Sequence, residues 1–210
     1  MNRSKQILAV TVTLILCILP GSAHSQGRMG DVMVTVMNEK LVAIPASGSR
    51  IEEGLGVNET VANTTARGQT GFAQTSARLL GFSSELRRWT EVPLGMEERV
   101  EHRQVLPRLI VVQTNRQLYG FQEGRGHWTN EPLGANETVK QVHGRGHLAV
   151  VLTSNRALAF SSYTAGFFAI PWATEERIVS VDETNDAVMI RTSSRMLVFR
   201  SQSTEWVEVK

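Results

Sequence analysis

The feature that most constrains the fold of this chain is an internal repeat with a period of 39 residues. Four kinds of side chain recur in one register. The Phe column comprises Phe82, Phe121, Phe160 and Phe199, and the Thr column comprises Thr75, Thr114, Thr153 and Thr192. The aromatic column comprises Trp89, Trp128, Phe167 and Trp206, and the Glu column comprises Glu59, Glu98, Glu137 and Glu176. Because the columns keep the same spacing, they indicate one structural unit that is repeated along the chain.

Each unit has the period of β-strands. The third copy reads as a strand at 116–122, a Gly-rich turn (EGRG), and strands at 127–133, 137–143 and 147–153. Alternating or wholly apolar runs of this length, separated by turns rich in Gly, Pro and Asn, are typical of strands. We therefore predict four strands in each unit and no amphipathic helix after residue 25.

Four-stranded antiparallel units with a period near 40 residues resemble the blades of β-propeller proteins. The resemblance covers about residues 31–210 and concerns the fold class, because the WD, kelch and Asp-box signatures of particular propeller families are absent. It implies that the blades stack on their apolar faces. The Phe and aromatic columns would then fill the space between blades, and the Thr column would cap turns or form a ladder with its neighbours.

Counting the copies predicts five blades. Complete units cover about residues 40–77, 78–116, 117–155 and 156–194. We expect the fifth blade to combine one strand from residues 31–38 with two from residues 195–210, since such closure removes exposed strand edges. The predicted fold is an all-β, five-bladed β-propeller with one incomplete blade closed by N- and C-terminal strands. An open arc, or a ring completed by another chain, is the alternative.

The first 25 residues have the pattern of a secretory signal peptide. Arg3 and Lys5 precede the apolar run from Ile7 to Pro20, and small residues follow it. The run is short for a membrane span, which needs about 20 apolar residues. We predict cleavage after Ser25, a single domain at residues 26–210, no membrane span after cleavage, and a secreted or periplasmic location.

The composition of residues 26–210 excludes several functions. The only cysteine, Cys17, lies in the predicted signal peptide, so neither a disulfide nor a thiol nucleophile is expected. Residues 1–25 carry two of the 22 basic residues and none of the 20 acidic ones, so the two signs balance in the remainder. Without a basic block, we expect no nucleic-acid partner. No phosphate-binding loop, dinucleotide fingerprint or zinc-protease motif is present, and we predict no cofactor, metal or catalytic residue.

The best candidates for ligand contact are Trp89, Trp128 and Trp206, because sugar rings stack on exposed aromatic faces. Packing between blades is the simpler interpretation of this column. The sequence HGRGH (143–147) places two histidines close enough to suggest a metal site with His127. A solvated hairpin turn is the simpler interpretation there, and likewise for DETND (182–186).

A basic column accompanies the Glu column. It comprises Arg78, Arg156 and Arg195, with Lys40 near the same place in the first unit. Arg116 stands one place early, which leaves Gln117 in register. The two columns could form ion pairs between blades or present charged faces to ligands, and we expect structural or solvated roles for both.

These patterns favour a secreted or periplasmic, non-catalytic scaffold that binds a protein or a glycan. Near-equal units suggest several similar sites that bind together. A polysaccharide-active propeller hydrolase is one alternative and would need a cluster of unlike acids in the central channel. A structural component of a cell-envelope assembly is another, and would need an apolar or strand-edge patch near the incomplete blade.

Overall fold

The computed structural model describes residues 31–209, which form nineteen strands and no helix. Blade 1 contains β1 (Met33–Met37), β2 (Lys40–Ile44) and β3 (Ile51–Gly54). Blade 2 contains β4 (Val61–Arg67), β5 (Thr70–Thr75), β6 (Arg78–Ser83) and β7 (Arg88–Pro93). Blade 3 contains β8 (Val100–Val105), β9 (Leu109–Thr114), β10 (Gln117–Gln122) and β11 (His127–Pro132). Blade 4 contains β12 (Val139–Arg145), β13 (Leu148–Thr153), β14 (Arg156–Ser161) and β15 (Phe167–Pro171). Blade 5 contains β16 (Ile178–Glu183), β17 (Ala187–Thr192), β18 (Met196–Arg200) and β19 (Val207–Val209).

Every blade is an antiparallel meander in which each strand pairs with its neighbours in sequence. The prediction of an all-β propeller with five blades, one of them incomplete, is therefore confirmed. The predicted signal peptide lies outside the described residues. Within them, no helix is long and apolar enough to cross a membrane.

The predicted composition of the incomplete blade was wrong. Residues 31–38 and 195–210 do not share a sheet: β1 pairs with β2 in blade 1, and β18 and β19 complete blade 5. The reason is local. A two-residue turn, Asn38 and Glu39, with φ of 50° and 59°, joins β1 to β2, and closing so short a hairpin costs little entropy.

The predicted units have the observed length but begin half a blade late. The unit at residues 78–116, for example, contains the last two strands of blade 2 and the first two of blade 3. A repeat establishes a period without establishing where one sheet ends. The β1–β2 turn corresponds to the turn between Thr75 and Arg78, so blade 1 lacks the counterpart of the first strand in the other blades.

Apolar residues pack between consecutive blades. Four clusters of buried residues join blades 1 and 2, 2 and 3, 3 and 4, and 4 and 5. All four members of the Phe column are fully buried. In the described part of the chain, none of these clusters joins blade 5 to blade 1. Accordingly, every residue of β13 in blade 4 is buried, whereas β17 in blade 5 alternates between buried and more exposed positions.

The Phe column fits its neighbours because glycines face it. A Cβ atom at Gly81 would lie 2.7 Å from the ring of Phe121 in the next blade, and one at Gly120 would lie 2.4 Å from the ring of Phe160. Each ring therefore lies directly on the backbone of the preceding blade. Blade 4 has Ala159 at this position, and there Phe199 stacks on Phe168 with ring centroids 5.6 Å apart.

The substitution Gly120→Ala tests this packing. The new methyl group would overlap the ring of Phe160, and overpacking of a core costs about 1–3 kcal/mol. We expect the free energy of unfolding in urea to fall by that amount. In the matched control Gly54→Ala, where no atom lies within 4 Å of the new Cβ, we expect a change within about 0.5 kcal/mol. Equal effects of the two substitutions would contradict the packing scheme.

Candidate binding site

All five blades contribute to one central depression of about 590 Å³. In blades 2 to 5, its walls are the turns between the first and second strands, and in blade 1 it is lined by Asp31, just before β1. These turns lie at the same end of the blades because the strands alternate in direction. The depression therefore lies where the five blades converge.

One repeat position supplies a lining residue from every blade. Gln69, Arg108, His147 and Asp186 are spaced by 39 residues, and Asp31 is their counterpart in blade 1. Each stands at or next to the start of the second strand. The Thr and Phe columns keep one residue type in blades 2 to 5, whereas this position, which we call the variable column, differs in chemistry from blade to blade. Identical scaffolding therefore surrounds an asymmetric lining.

Hydrogen bonds tie the lining turns of adjacent blades to one another. Gly68 and Gly146 allow the closest approaches, since a Cβ at either would lie within 2.7 Å of the next blade. One bond joins each pair of blades that are consecutive in the chain: Val32 N to Gly68 O (2.8 Å), Gln69 N to Pro107 O (3.1 Å), Gln104 Nε2 to Gly144 O (3.2 Å) and His147 N to Asn185 O (2.9 Å). The rim of the depression is thus a connected structure.

A buried carboxylate holds Arg108 in the lining. Glu123, which is fully buried, accepts hydrogen bonds from Ser83 Oγ (3.2 Å) and from the backbone N–H of Glu85 (2.9 Å). Arg108 Nη2 lies 3.4 Å from Glu123 Oε2 and 2.8 Å from Glu85 Oε2. Glu123 begins the EGRGH turn, which no other unit has, and Arg108 is the only arginine of the variable column. The EGRGH turn, which occurs in one unit, therefore supplies the carboxylate that lies beside Arg108.

The two histidines of HGRGH have separate partners. His143 Nδ1 lies 2.8 Å from Glu183 Oε1 across the interface of blades 4 and 5. His147 Nδ1 lies 3.1 Å from Ser162 Oγ, and its ring packs against the ring of Tyr163 with the centroids 4.8 Å apart. Among the residues that the structure describes, no three His, Cys, Asp or Glu side chains form a group able to hold a metal. The DETND sequence forms the turn that brings Asp186 to the depression.

The Glu column lies at the opposite ends of the blades, where each Glu clamps a connection between blades. Glu176 accepts hydrogen bonds from Ala173 N (2.7 Å), Thr192 Oγ1 (2.6 Å) and Arg195 Nε (2.9 Å). Arg195 also donates to the carbonyl of Pro171, at the end of blade 4 (2.7 Å). The loop from blade 4 is thereby fixed to the β17–β18 turn of blade 5. The Glu and basic columns form ion pairs at three such clamps: Glu59 with Arg78, Glu137 with Arg156, and Glu176 with Arg195.

Gln117 breaks the basic column, and the clamp at Glu98 uses neutral groups instead. Glu98 accepts hydrogen bonds from Thr114 Oγ1 (2.7 Å), Gln117 Nε2 (3.2 Å) and the hydroxyl of Tyr119 (3.1 Å). Burial and the nearby Glu98 charge raise the pKa of Tyr119 to about 12. The pKa of Glu98 is lowered because its hydrogen bonds outweigh the effect of burial.

Hydrogen bonds keep the Arg-paired carboxylates ionised. The guanidinium of Arg195, helped by Thr192 and the Ala173 N–H, lowers the pKa of Glu176 to about 2 against the effect of burial. At Glu59, burial opposes ionisation, but the hydrogen bonds from Arg78, Thr75 and the Gly56 N–H together outweigh it and lower the pKa to about 2. Both groups are therefore charged throughout the physiological range.

The structure places the three tryptophans between blades, outside the depression. Trp89 and Trp128 are buried and Trp206 is half-buried, and each lies 5.2 Å from the Phe ring of its own unit. Trp128 donates from Nε1 to the carbonyl of Thr90 in the preceding blade (3.1 Å). Trp206 also lines a shallow outer groove of about 340 Å³ with Phe167 and Phe168. Ligand stacking on these tryptophans stays a prediction.

Comparisons with known proteins do not assign this chain to a family. No protein-family model matches the chain, and no curated protein is significantly similar in sequence. Similar solved structures include human WBSCR16, with 10% identity, a TM-score of 0.40 and coverage of 85% of this chain and 64% of that one. Others are Hsv2p of Kluyveromyces lactis (12% identity, TM-score 0.40, 85% and 59%) and Prp20p of Saccharomyces cerevisiae (9%, 0.40, 80% and 55%). The chain spans about three fifths of the length of these proteins.

The clamps predict a dependence of stability on pH. A carboxyl whose pKa is lowered by folding stabilises the fold above its unfolded pKa, and this contribution is lost as the pH falls through the folded value. We expect the free energy of unfolding to decrease from about pH 5 to about pH 2, and the decrease to be smaller in Glu176→Gln. At pH 7, Glu176→Gln should cost about 1–3 kcal/mol, because Arg195 loses its buried partner.

The control is Glu208→Gln, which removes a more exposed partner of the same arginine and should cost at most about 1 kcal/mol. If Glu176→Gln is no more destabilising than Glu208→Gln, or leaves the pH dependence unchanged, the clamp does not stabilise the propeller as described.

Proposed function

We propose that this protein is an exported, non-catalytic scaffold that binds one ligand, a segment of a partner protein or a glycan, in the central depression. The variable column is the observation that carries the proposal. Export is supported by Arg3, Lys5 and the apolar run from Ile7 to Pro20.

Positions that repeat the same residue in blades 2 to 5 form the scaffold of this chain, and positions that vary between blades line the depression. A position whose only role is to pack one blade on the next can have the same residue in each blade, as the Phe column does in blades 2 to 5. The variable column instead brings Asp31, Gln69, Arg108, His147 and Asp186 to one cavity. Near-equal units alone favour several similar sites, but this lining favours a single asymmetric one.

The depression is also pre-organised for binding. Hydrogen bonds between adjacent turns fix its rim, and Glu85 and Glu123 fix the side chain of Arg108. Groups that are already ordered lose little conformational entropy when a ligand arrives, which raises affinity for a given set of contacts.

Two other functions each have an observation in their favour. Asp31 and Asp186 place two carboxylates in the depression, and glycoside hydrolysis uses such a pair. Met33, Val36 and Met37 of the incomplete blade are exposed on β1, which has a paired strand on only one side within the described residues. An edge of this kind suits a structural role in an assembly.

Selection of ligands on the folded protein tests the proposal. The protein is screened against a glycan array and a random peptide display library, and each ligand is then titrated against Arg145→Ala, Asp186→Ala and Trp206→Ala. We expect ligands that lose about tenfold or more in affinity, about 1.4 kcal/mol, with at least one of the first two variants. The control Arg177→Ala removes an exposed cation at the opposite end of β16 and should leave binding unchanged.

Three results would contradict the proposal. Ligands that respond only to Trp206→Ala would place the site in the outer groove. Release of reducing sugar from a bound glycan, lost in Asp31→Asn or Asp186→Asn, would identify a hydrolase. Ligands that respond to none of these substitutions would exclude the depression.

A further inference from the structure

Four charged side chains around the depression have no ionic partner among the residues that the structure describes. Arg67 and Arg145 occupy one repeat position in blades 2 and 4, and Asp31 and Asp186 belong to the variable column in blades 1 and 5. All four residues are exposed. Within residues 31–209, none of them lies within 4.0 Å of an oppositely charged group. Arg108 differs from them because Glu85 and Glu123 already neutralise it.

The two signs lie on opposite sides of the depression. In the order of the blades, the unpaired cations belong to blades 2 and 4 and flank blade 3, while the anions belong to blades 5 and 1. The hydrogen-bonded rim fixes these turns relative to one another. The unlike charges therefore remain separate and available to a ligand that carries both signs.

The lining is better suited to a peptide than to a sugar. None of the lining residues is Trp, Tyr or Phe, the side chains on which apolar ring faces pack. The lining instead offers guanidinium groups, which match the geometry of carboxylates, and Asp carboxylates, which accept from ammonium groups. Within the described residues, Gln69 Oε1 is a buried acceptor to which no group donates. It could therefore accept a hydrogen bond from a backbone N–H of a bound segment.

We propose that the central depression binds a dipolar segment of a partner protein, with an acidic side chain against Arg67 and Arg145 and a basic side chain against Asp31 and Asp186. This inference rests on the proposed function, since it names the class of ligand for the same site. A ligand with only one sign of charge is attracted by one side of the depression and repelled by the other.

Four peptides that differ only in charge test the inference. The probes are acetylated and amidated GKGGEG, GKGGQG, GQGGEG and GQGGQG, titrated into the full-length protein at low ionic strength. We expect the doubly charged peptide to bind about three- to tenfold more tightly than either singly charged one, as weakly screened surface pairs allow. The preference should shrink as salt is added, because exposed charges are screened.

Single substitutions then assign the two sides. Arg145→Gln should reduce the gain from the glutamate of the peptide and leave the gain from its lysine, and Asp186→Asn should do the opposite. Arg177→Gln, at the other end of the blades, is the control for charge. All three residues are exposed, and matched unfolding midpoints would confirm that the variants fold.

The inference is overturned if the doubly charged peptide binds no better than either singly charged one, or if Arg145→Gln and Arg177→Gln have equal effects. Selected ligands that depend on the depression but carry no charge would reject the dipolar class and leave the proposed function standing. Failure to select any ligand that depends on the depression would reject both.

Discussion

The interaction on which the structure depends is the packing of each phenylalanine of the Phe column against the preceding blade. A four-stranded sheet with two apolar faces is stable only when both are covered, and the rings of Phe121 and Phe160 cover Gly81 and Gly120 at contact distance. The four apolar clusters follow from this arrangement, since each fills the space between two blades. The stacking also sets where the turns of successive blades lie, and with them the walls of the depression.

The two ends of the propeller use their polar residues differently. At one end, the Glu, Thr and Arg side chains bond almost entirely to one another and to the connecting loops, so their charges are neutralised and their role is to fix one blade to the next. At the other end, mainly backbone hydrogen bonds hold the rim, and four charged side chains of the lining remain exposed and without an ionic partner among the described residues. Polar residues that stabilise the fold thus lie at one end of the strands, and polar residues that could contact a ligand lie at the other.

The repeat predicted much of the architecture, because stacking equivalent blades requires equivalent residues. The burial of the Phe column and the pairing of Arg78, Arg156 and Arg195 with the Glu column were predictable for that reason. The repeat did not predict at which strand each blade begins. For blade 1, the turn at Asn38 and Glu39 was a local signal that β1 pairs with β2. The variable column was not predicted, because a repeat is recognised by residue types that recur. Its members Gln69, Arg108, His147 and Asp186 keep the period but share no chemistry. Following the period through the turns, without regard to residue type, would have found them.

A central binding site requires the first and last blades to converge on one depression. A direct measurement is cross-linking with a short bis-maleimide in the full chain carrying D31C and D186C, with C17S removing the only native cysteine. Because both positions line the same cavity, the account predicts an efficient cross-link within one molecule that leaves the protein monomeric. A control pair, S76C with D186C, joins opposite ends of the blades and should not react within one molecule. Cross-links that form only between molecules, or at equal rates in the two pairs, would contradict it.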